Sequence, residues 1–105
     1  MISDIDSVQE FDEALKNDTA VVDFWASWCT PCLIMAPIFE EVANKKDMKN
    51  IKFIKVNVDD YPELAEKFGI MSIPTTVIIK KGKEAGRIIG AQSIEALEEK
   101  LKKFI

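Results

Sequence analysis

Histidine is absent from the 105-residue sequence, and arginine occurs only once, at Arg87. The lack of histidine excludes imidazole general bases, Ser-His-Asp triads and most mixed zinc sites. No apolar run approaches the roughly 20 residues that a membrane-spanning helix needs, so we expect no contact with the membrane interior. Basic residues are outnumbered by acidic ones: 18 acidic and 14 basic residues give a net charge of −4, which argues against nucleic acid as a partner.

The length and composition are those of one small globular domain. A chain of 105 residues has room for a single core, and its 48% hydrophobic and 30% charged residues are ordinary for a folded protein. Its first residues, M-I-S-D-I-D-S, have neither the basic region nor the apolar run of a secretory signal. We therefore predict a cytoplasmic protein, which we expect to be monomeric. In that compartment, a close cysteine pair is more often catalytic or metal-binding than structural.

Hydrophobic periodicity predicts an α/β fold. Strands are expected at residues 2–5, 20–26, 51–58, 73–80 and 84–89, and helices at residues 8–17, 31–43, 62–68 and 94–104. Ser7 and Glu10 form a capping-box pattern at the first helix, whereas residues 44–50 read as a polar, exposed connection. The strand at residues 20–26 is apolar on successive residues, as in parallel strands covered on both faces. The order predicts a central mixed sheet of four to five strands with helices on both faces and a final hairpin at one edge.

Both cysteines lie in the segment W-C-T-P-C at residues 28–32, between a predicted strand and a predicted helix. In α/β sheets, the reactive site lies outside the carboxyl ends of the parallel strands. Cys29 falls at the helix N-terminus, where free amides and the helix dipole favour an anion and lower the pKa of a thiol. Cys32 follows one turn later and can close a disulfide with Cys29. We expect Cys29 to attack and Cys32 to resolve the mixed disulfide.

Half of a zinc site is the alternative interpretation of this cysteine pair. Structural zinc needs four ligands, and with no histidine and no third cysteine, two of them would have to come from another chain. The alternative hypothesis is therefore a zinc-bridged dimer.

Four further residues are candidates for the site, each with a plainer alternative. Asp23 interrupts an apolar strand: if buried, its pKa is raised and it can exchange a proton with Cys32, and if not, it marks a solvated strand edge. Lys55 is either the ion partner of Asp23 or a surface lysine. Pro74 follows Ile73 just before a strand, where a trans bond is the usual expectation. Trp28 is either a core residue or a partly exposed substrate contact.

Taken together, these motifs resemble the thioredoxin family essentially from end to end. The matching blocks are V-D-F-W-A-S-W-C-T-P-C at residues 22–32, A-P-I-F at 36–39, K-V-N-V-D at 55–59, F-G-I-M-S-I-P-T at 68–75, and K-G-K at 81–83 before G-A at 90–91. Thioredoxins are themselves the reference example of a C-x-x-C pair with a lowered thiol pKa. The resemblance implies a thioredoxin fold and an enzyme that reduces disulfides in other proteins.

The resemblance also implies roles for individual residues. Cys29 would be the nucleophile, Cys32 the resolving thiol, and Asp23 with Lys55 the acid-base pair. The Ile73-Pro74 bond would be cis and packed against the disulfide. The substrate-binding residues would be Trp28, Thr30, Pro31, Ile73, Pro74, Gly90 and Ala91. No cofactor is expected besides the redox-active Cys29–Cys32 disulfide, and the expected partners are disulfide-containing target proteins and a thioredoxin reductase of unknown type.

The motif departs from the common family pattern at two positions. Thr30 stands where glycine is usual, and Leu33 stands where a basic residue is usual, so the family's redox potential is not carried over to this chain. The rival interpretations are a glutathione-dependent, glutaredoxin-like reductase, a disulfide isomerase or oxidase, and a non-catalytic binding module. No glutathione motif is recognisable, and no histidine lies between the cysteines as is typical of isomerases and oxidases. Intact cysteines together with Asp23 argue against the binding module.

Overall fold

The computed structural model describes residues 2–105, which fold around one five-stranded sheet. In chain order the elements are β1 (Ile2–Asp4), α1 (Val8–Ala14), β2 (Thr19–Trp25), α2 (Thr30–Ala43), a 3₁₀ turn (Lys46–Met48), β3 (Lys52–Asn57), α3 (Pro62–Lys67), β4 (Thr75–Lys80), β5 (Lys83–Ile89) and α4 (Ile94–Lys102). The predicted order of strands and helices is therefore confirmed. Within residues 2–105, no helix has the length and apolar character needed to cross a membrane.

Strand β2 lies at the centre of the sheet, whose strand order is β1-β3-β2-β4-β5. It pairs in parallel with β3 and antiparallel with β4, and β1 runs parallel to β3 on the far side. The β4–β5 hairpin forms the opposite edge. This is the predicted mixed sheet with a terminal hairpin. Because β2 is the central strand, its carboxyl end lies between β3 and β4, in the middle of the sheet.

Alternate residues of β2 supply two separate cores, because successive side chains in a strand point to opposite faces. One core lies beneath α1 and α3 and includes Ala20, Val22, Phe24, Phe11 and Leu64. The other lies beneath α2 and α4 and includes Val21, Met35, Phe39, Leu97 and Leu101. Both faces of the strand are thus covered, which accounts for the successive apolar residues on either side of Asp23.

The helix termini follow the capping signals in the sequence, with one difference. The Ser7 hydroxyl accepts the Glu10 amide at 3.1 Å, and the Ser93 hydroxyl accepts the Ala96 amide at 3.1 Å. The Glu10 carboxylate, however, accepts the amide of Asp6 at 2.8 Å rather than that of Ser7. The capping box is therefore closed one residue earlier than its usual pattern.

The connection at residues 44–50 is not simply exposed, as the sequence had indicated. It contains the 3₁₀ turn, and Met48 within that turn is fully buried in the core beneath α2 and α4. A single apolar residue in a polar tract gives no periodicity, so its burial depends on the tertiary contact alone.

Candidate active site

Cys29 is the N-cap residue of α2. It lies between the carboxyl end of the central strand β2 and the first turn of the helix. Its Sγ accepts the backbone N–H of Cys32 at 3.3 Å, and the two cysteines form a disulfide. Pro31 lies in the first turn of the helix, where the absence of an amide hydrogen costs nothing. An N–H aimed at Sγ would also stabilise a thiolate there, because helix N-termini favour anions.

The disulfide itself is mostly buried beneath an exposed rim. Cys29 is 6% exposed and Cys32 is 1% exposed, and they pack with Ala26 against Trp25, Val58 and Ile73. Around them, Thr30 and Pro31 are exposed and Trp28 is 68% exposed. Of the two predicted thiols, Cys29 is thus the outer one, as its assigned role requires, although it shows little surface in the oxidised state.

The segment before β4 comes close to the disulfide from a distant part of the chain. The Ile73-Pro74 peptide bond is cis, as the resemblance implied and against the usual expectation for an X-Pro bond. The carbonyl oxygen of Ile73 lies 3.8 Å from Cys29 Sγ. The carbonyl of Pro74 accepts the Gly90 amide at 2.8 Å. The structure therefore brings together Cys29, Ile73, Pro74 and Gly90, with Ala91 exposed beside them.

An open cleft of about 190 Å³ lies beside the disulfide. Its lining is mainly apolar and consists of Trp28, Val58, Ala65, Ile70, Met71, Ser72 and Ile73. Trp28 and Ile73 were predicted to bind substrate. The other predicted substrate-binding residues do not line this cleft: Thr30, Pro31, Pro74, Gly90 and Ala91. Met71, which is 96% exposed, was not predicted. It lies in the block F-G-I-M-S-I-P-T, between Ile70 and Ile73, which both pack against the core beneath α1 and α3.

Trp28 is held in position by a carboxylate that the sequence reasoning did not identify. Its indole N–H donates to Asp59 Oδ2 at 2.7 Å. The loop carrying Asp59 is itself ordered by Asn57, whose side-chain oxygen accepts the amides of Asp59 and Asp60 at 2.9 and 3.3 Å. An asparagine two residues before an aspartate at a strand end is a typical turn signal, and it could have indicated this loop.

Asp23 is fully buried on the sheet face that α2 covers. It is 1% exposed, and within residues 2–105 its carboxyl oxygens have no hydrogen-bond partner. Burial raises the pKa of Asp23 from its ordinary value of 3.8 to about 7, while the positive charge of Lys55 lowers it and the negative charge of Asp4 raises it. The alternative of a solvated strand edge is therefore wrong, because β2 is the central strand.

Lys55 is the register partner of Asp23 on β3 but does not form an ion pair with it. It is half-buried, and its Nζ lies 4.3 Å from the centroid of the Trp25 ring, a cation–π arrangement. Lys55 therefore acts on Asp23 through its electric field. It is neither a direct ion partner nor an ordinary surface lysine.

Among residues 2–105, no three histidine, cysteine, aspartate or glutamate side chains come together as metal ligands. The arrangement around Cys29 is suited to thiol chemistry because it combines a sulfur at a helix N-terminus, a second sulfur one turn away, and a buried carboxyl whose pKa is about 7.

Comparison with known proteins gives consistent matches over nearly the whole chain. The family model described as Thioredoxin matches residues 4–103. A thioredoxin of Alicyclobacillus acidocaldarius is 47% identical over 92 residues, which are 87% of each chain. A thioredoxin of Staphylococcus haemolyticus is 42% identical over 95 residues, which are 90% of each chain.

Solved structures give the same result for the fold. The thioredoxin of Malassezia sympodialis superposes with a TM-score of 0.90 at 30% identity, covering 99% of this chain and 90% of that one. The oxidised thioredoxin of Plasmodium falciparum superposes with a TM-score of 0.87 at 35% identity, covering 99% and 98% of the two chains.

Proposed function

Because the chain belongs to the thioredoxin family, we propose that it reduces protein disulfides with Cys29 as the attacking thiol and Cys32 as the resolving thiol. The chain is a thiol-disulfide oxidoreductase, and its Cys29–Cys32 pair is the redox-active group. The observation that supports the division of roles is the position of Cys29. It caps α2 and is the outer of the two sulfurs, whereas Cys32 is 1% exposed.

The proposed reaction has two exchange steps that conserve electrons. The Cys29 thiolate attacks one sulfur of the target disulfide, forming a mixed disulfide and releasing the other target sulfur as a thiolate. Cys32 then loses its proton and attacks Cys29 Sγ, which forms the Cys29–Cys32 disulfide and releases the second target thiolate. Two electrons pass from the enzyme dithiol to the target.

Asp23 is proposed to accept the proton of Cys32 in the second step. It lies on the sheet face covered by α2, the helix that carries Cys32, and its pKa of about 7 lets it both accept and release a proton at neutral pH. Lys55 supports this role, since its charge lowers the free-energy cost of the ionised carboxylate.

The apolar cleft and the cis-proline segment are proposed to dock the target protein. Trp28, Met71 and Ile73 line this cleft, and the Ile73 carbonyl lies 3.8 Å from Cys29 Sγ, the sulfur that attacks the target. We further propose that residues 1–105 work as one domain and as a monomer in the cytoplasm. The family implies disulfide-containing targets and a reductase that restores the dithiol. We propose that neither nucleic acid nor membrane is a partner, in line with the acidic net charge of −4.

The test compares the same substitution at the two cysteines. With dithiothreitol as the electron donor, Cys29→Ser should reduce insulin no faster than the uncatalysed background and should form no adduct with it. Cys32→Ser should also fail to turn over efficiently. When it is first reduced, freed of dithiothreitol and then mixed with insulin, it should accumulate a mixed disulfide visible by mass spectrometry. Turnover by Cys29→Ser well above background would overturn the assignment. Two thiols in the wild type that stay inert in a dithiol titration would favour a binding module instead.

A further inference from the structure

The segment of residues 68–73 connects α3 to the cis proline and forms a large part of the cleft wall. Ile70, Met71, Ser72 and Ile73 all line the cleft, and Met71 is 96% exposed. Phe68, Ile70 and Ile73 of this segment pack against the core beneath α1 and α3, whereas Met71 and Ser72 are exposed. The position of the exposed part therefore depends also on the hydrogen bonds that hold the two ends of the segment. Its second end is fixed by the Thr75 hydroxyl, which donates to the Ser72 carbonyl at 2.6 Å.

The first end of the segment is the C-terminus of α3, where carbonyl groups need partners outside the helix. Backbone amides satisfy three of them: Phe68 donates to Leu64 at 3.2 Å, Gly69 to Glu66 at 3.0 Å and Ile70 to Ala65 at 2.9 Å. Gly69 has a positive φ of 60°, as is typical of this kind of helix end. The carbonyl of Phe68 itself turns towards β5, where it accepts a hydrogen bond from Arg87 Nη2 at 2.7 Å.

Arg87 is held in this position by its neighbour on the same strand. Its Nε donates to Glu84 Oε2 at 2.7 Å, and its Nη2 donates to Glu84 Oε1 at 2.8 Å. Bidentate, charge-assisted bonds of this length are strong and fix the plane of the guanidinium. A lysine has a single nitrogen and cannot reproduce this fork while also reaching the carbonyl. The only arginine of the sequence therefore links β5 to the start of the cleft wall.

We propose that Arg87 is a positioning residue for substrate docking, which fixes the segment of residues 68–73 by holding the Phe68 carbonyl. The inference rests on the proposed function of the cleft. Arg87 does not contact the sulfurs or the reacting atoms. Its loss should therefore weaken binding of the target protein and leave the exchange chemistry at Cys29 intact.

Arg87→Gln tests this by separating KM from kcat in insulin reduction. KM should rise about fivefold, the fold-change expected from one net hydrogen bond, and kcat should change by less than about twofold. Arg87→Lys keeps the charge but loses the fork, so its KM should lie between those of the wild type and Arg87→Gln. Amide hydrogen exchange of residues 69–73 should become faster in Arg87→Gln, while that of β2 should not change.

Asp47→Asn is the matched control, because it also breaks one ion pair. In that pair, Asp47 Oδ2 lies 3.0 Å from Nζ of Lys102, a residue of α4. It should leave KM and the exchange of residues 69–73 unchanged. A wild-type KM in Arg87→Gln, with or without a lower melting temperature, would overturn the inference. So would unchanged exchange in residues 69–73, which is measured without any substrate. Failure of the wild type to reduce insulin would instead contradict the proposed function.

Discussion

Replacing Asp23 by asparagine should stabilise the protein, and the gain should depend on pH. The carboxyl is buried, its pKa is about 7, and in the unfolded chain its pKa returns to the ordinary 3.8. Between these two values, the folded protein keeps a proton that the unfolded chain has released. The free energy of unfolding therefore falls as the pH rises through this window. Asparagine is similar in shape and does not ionise, so the variant lacks this loss.

The size of the effect follows from the pKa shift. A shift of about three units corresponds to about 4 kcal/mol at 1.36 kcal/mol per unit. Below about pH 4, the carboxyl is neutral in both states, and the two proteins should differ little. Above about pH 7, Asp23→Asn should be more stable by several kcal/mol, with about 4 kcal/mol as the upper end. The increase should be gradual across the window.

The assay is urea unfolding of both proteins from pH 4 to pH 8.5, with the disulfide intact so that neither cysteine titrates. Asp12→Asn, at an exposed position of α1, is the matched control and should change the free energy of unfolding by less than about 0.5 kcal/mol at every pH. A constant difference between Asp23→Asn and the wild type across the whole range would refute the reasoning, since it would mean that Asp23 ionises equally in the folded and unfolded states.

Three other substitutions test separate parts of the structure. Lys55→Met removes the positive charge that lowers the pKa of Asp23, so this pKa should rise further above 7, which NMR of the carboxyl carbon would measure. Thr30→Gly should shift the dithiol potential in a glutathione titration by about 10 mV or more, because residue 30 lies between the two cysteines and a change of about 0.5 kcal/mol in the dithiol relative to the disulfide gives a shift of that size; equal potentials would contradict this. Gly86→Ala would place a Cβ against the ring of Phe104 and should lower the free energy of unfolding by about 1–2 kcal/mol, a loss that a smaller residue at position 104 should relieve.

The fold could be predicted from the sequence because its signals are local and mutually consistent. The apolar residues on either side of Asp23 in β2 and the capping serine Ser7 each indicated the backbone state of nearby residues. Met48 shows the limit of prediction from local sequence signals. Its burial depends on α2 and α4 closing over it, and nothing in the residues beside it indicates that.

The residues of the candidate site also differ in whether the local sequence could indicate them. The two cysteines were predictable from their spacing, and Asp23 from its apolar neighbours. The partners that orient the site come from distant segments: Asp59 for Trp28, and Arg87 for Phe68. Their contacts depend on how strand ends and loops meet in space. Hydrophobic periodicity could not predict the cis bond before Pro74, which was indicated only by the resemblance to the thioredoxin family.

The N-cap of α2 is a weaker hydrogen-bond acceptor than the N-caps of α1 and α4. Ser7 and Ser93 cap α1 and α4 through hydroxyl oxygens, whereas α2 is capped by the sulfur of Cys29, a weak acceptor. The sulfur that the reaction needs is thus a poorer cap for the 14-residue helix α2, a trade of stability for activity. Serine at position 29 would cap α2 better than cysteine does. An inactive Cys29→Ser chain should therefore fold at least as well as the reduced wild type, and its loss of turnover reports chemistry rather than misfolding.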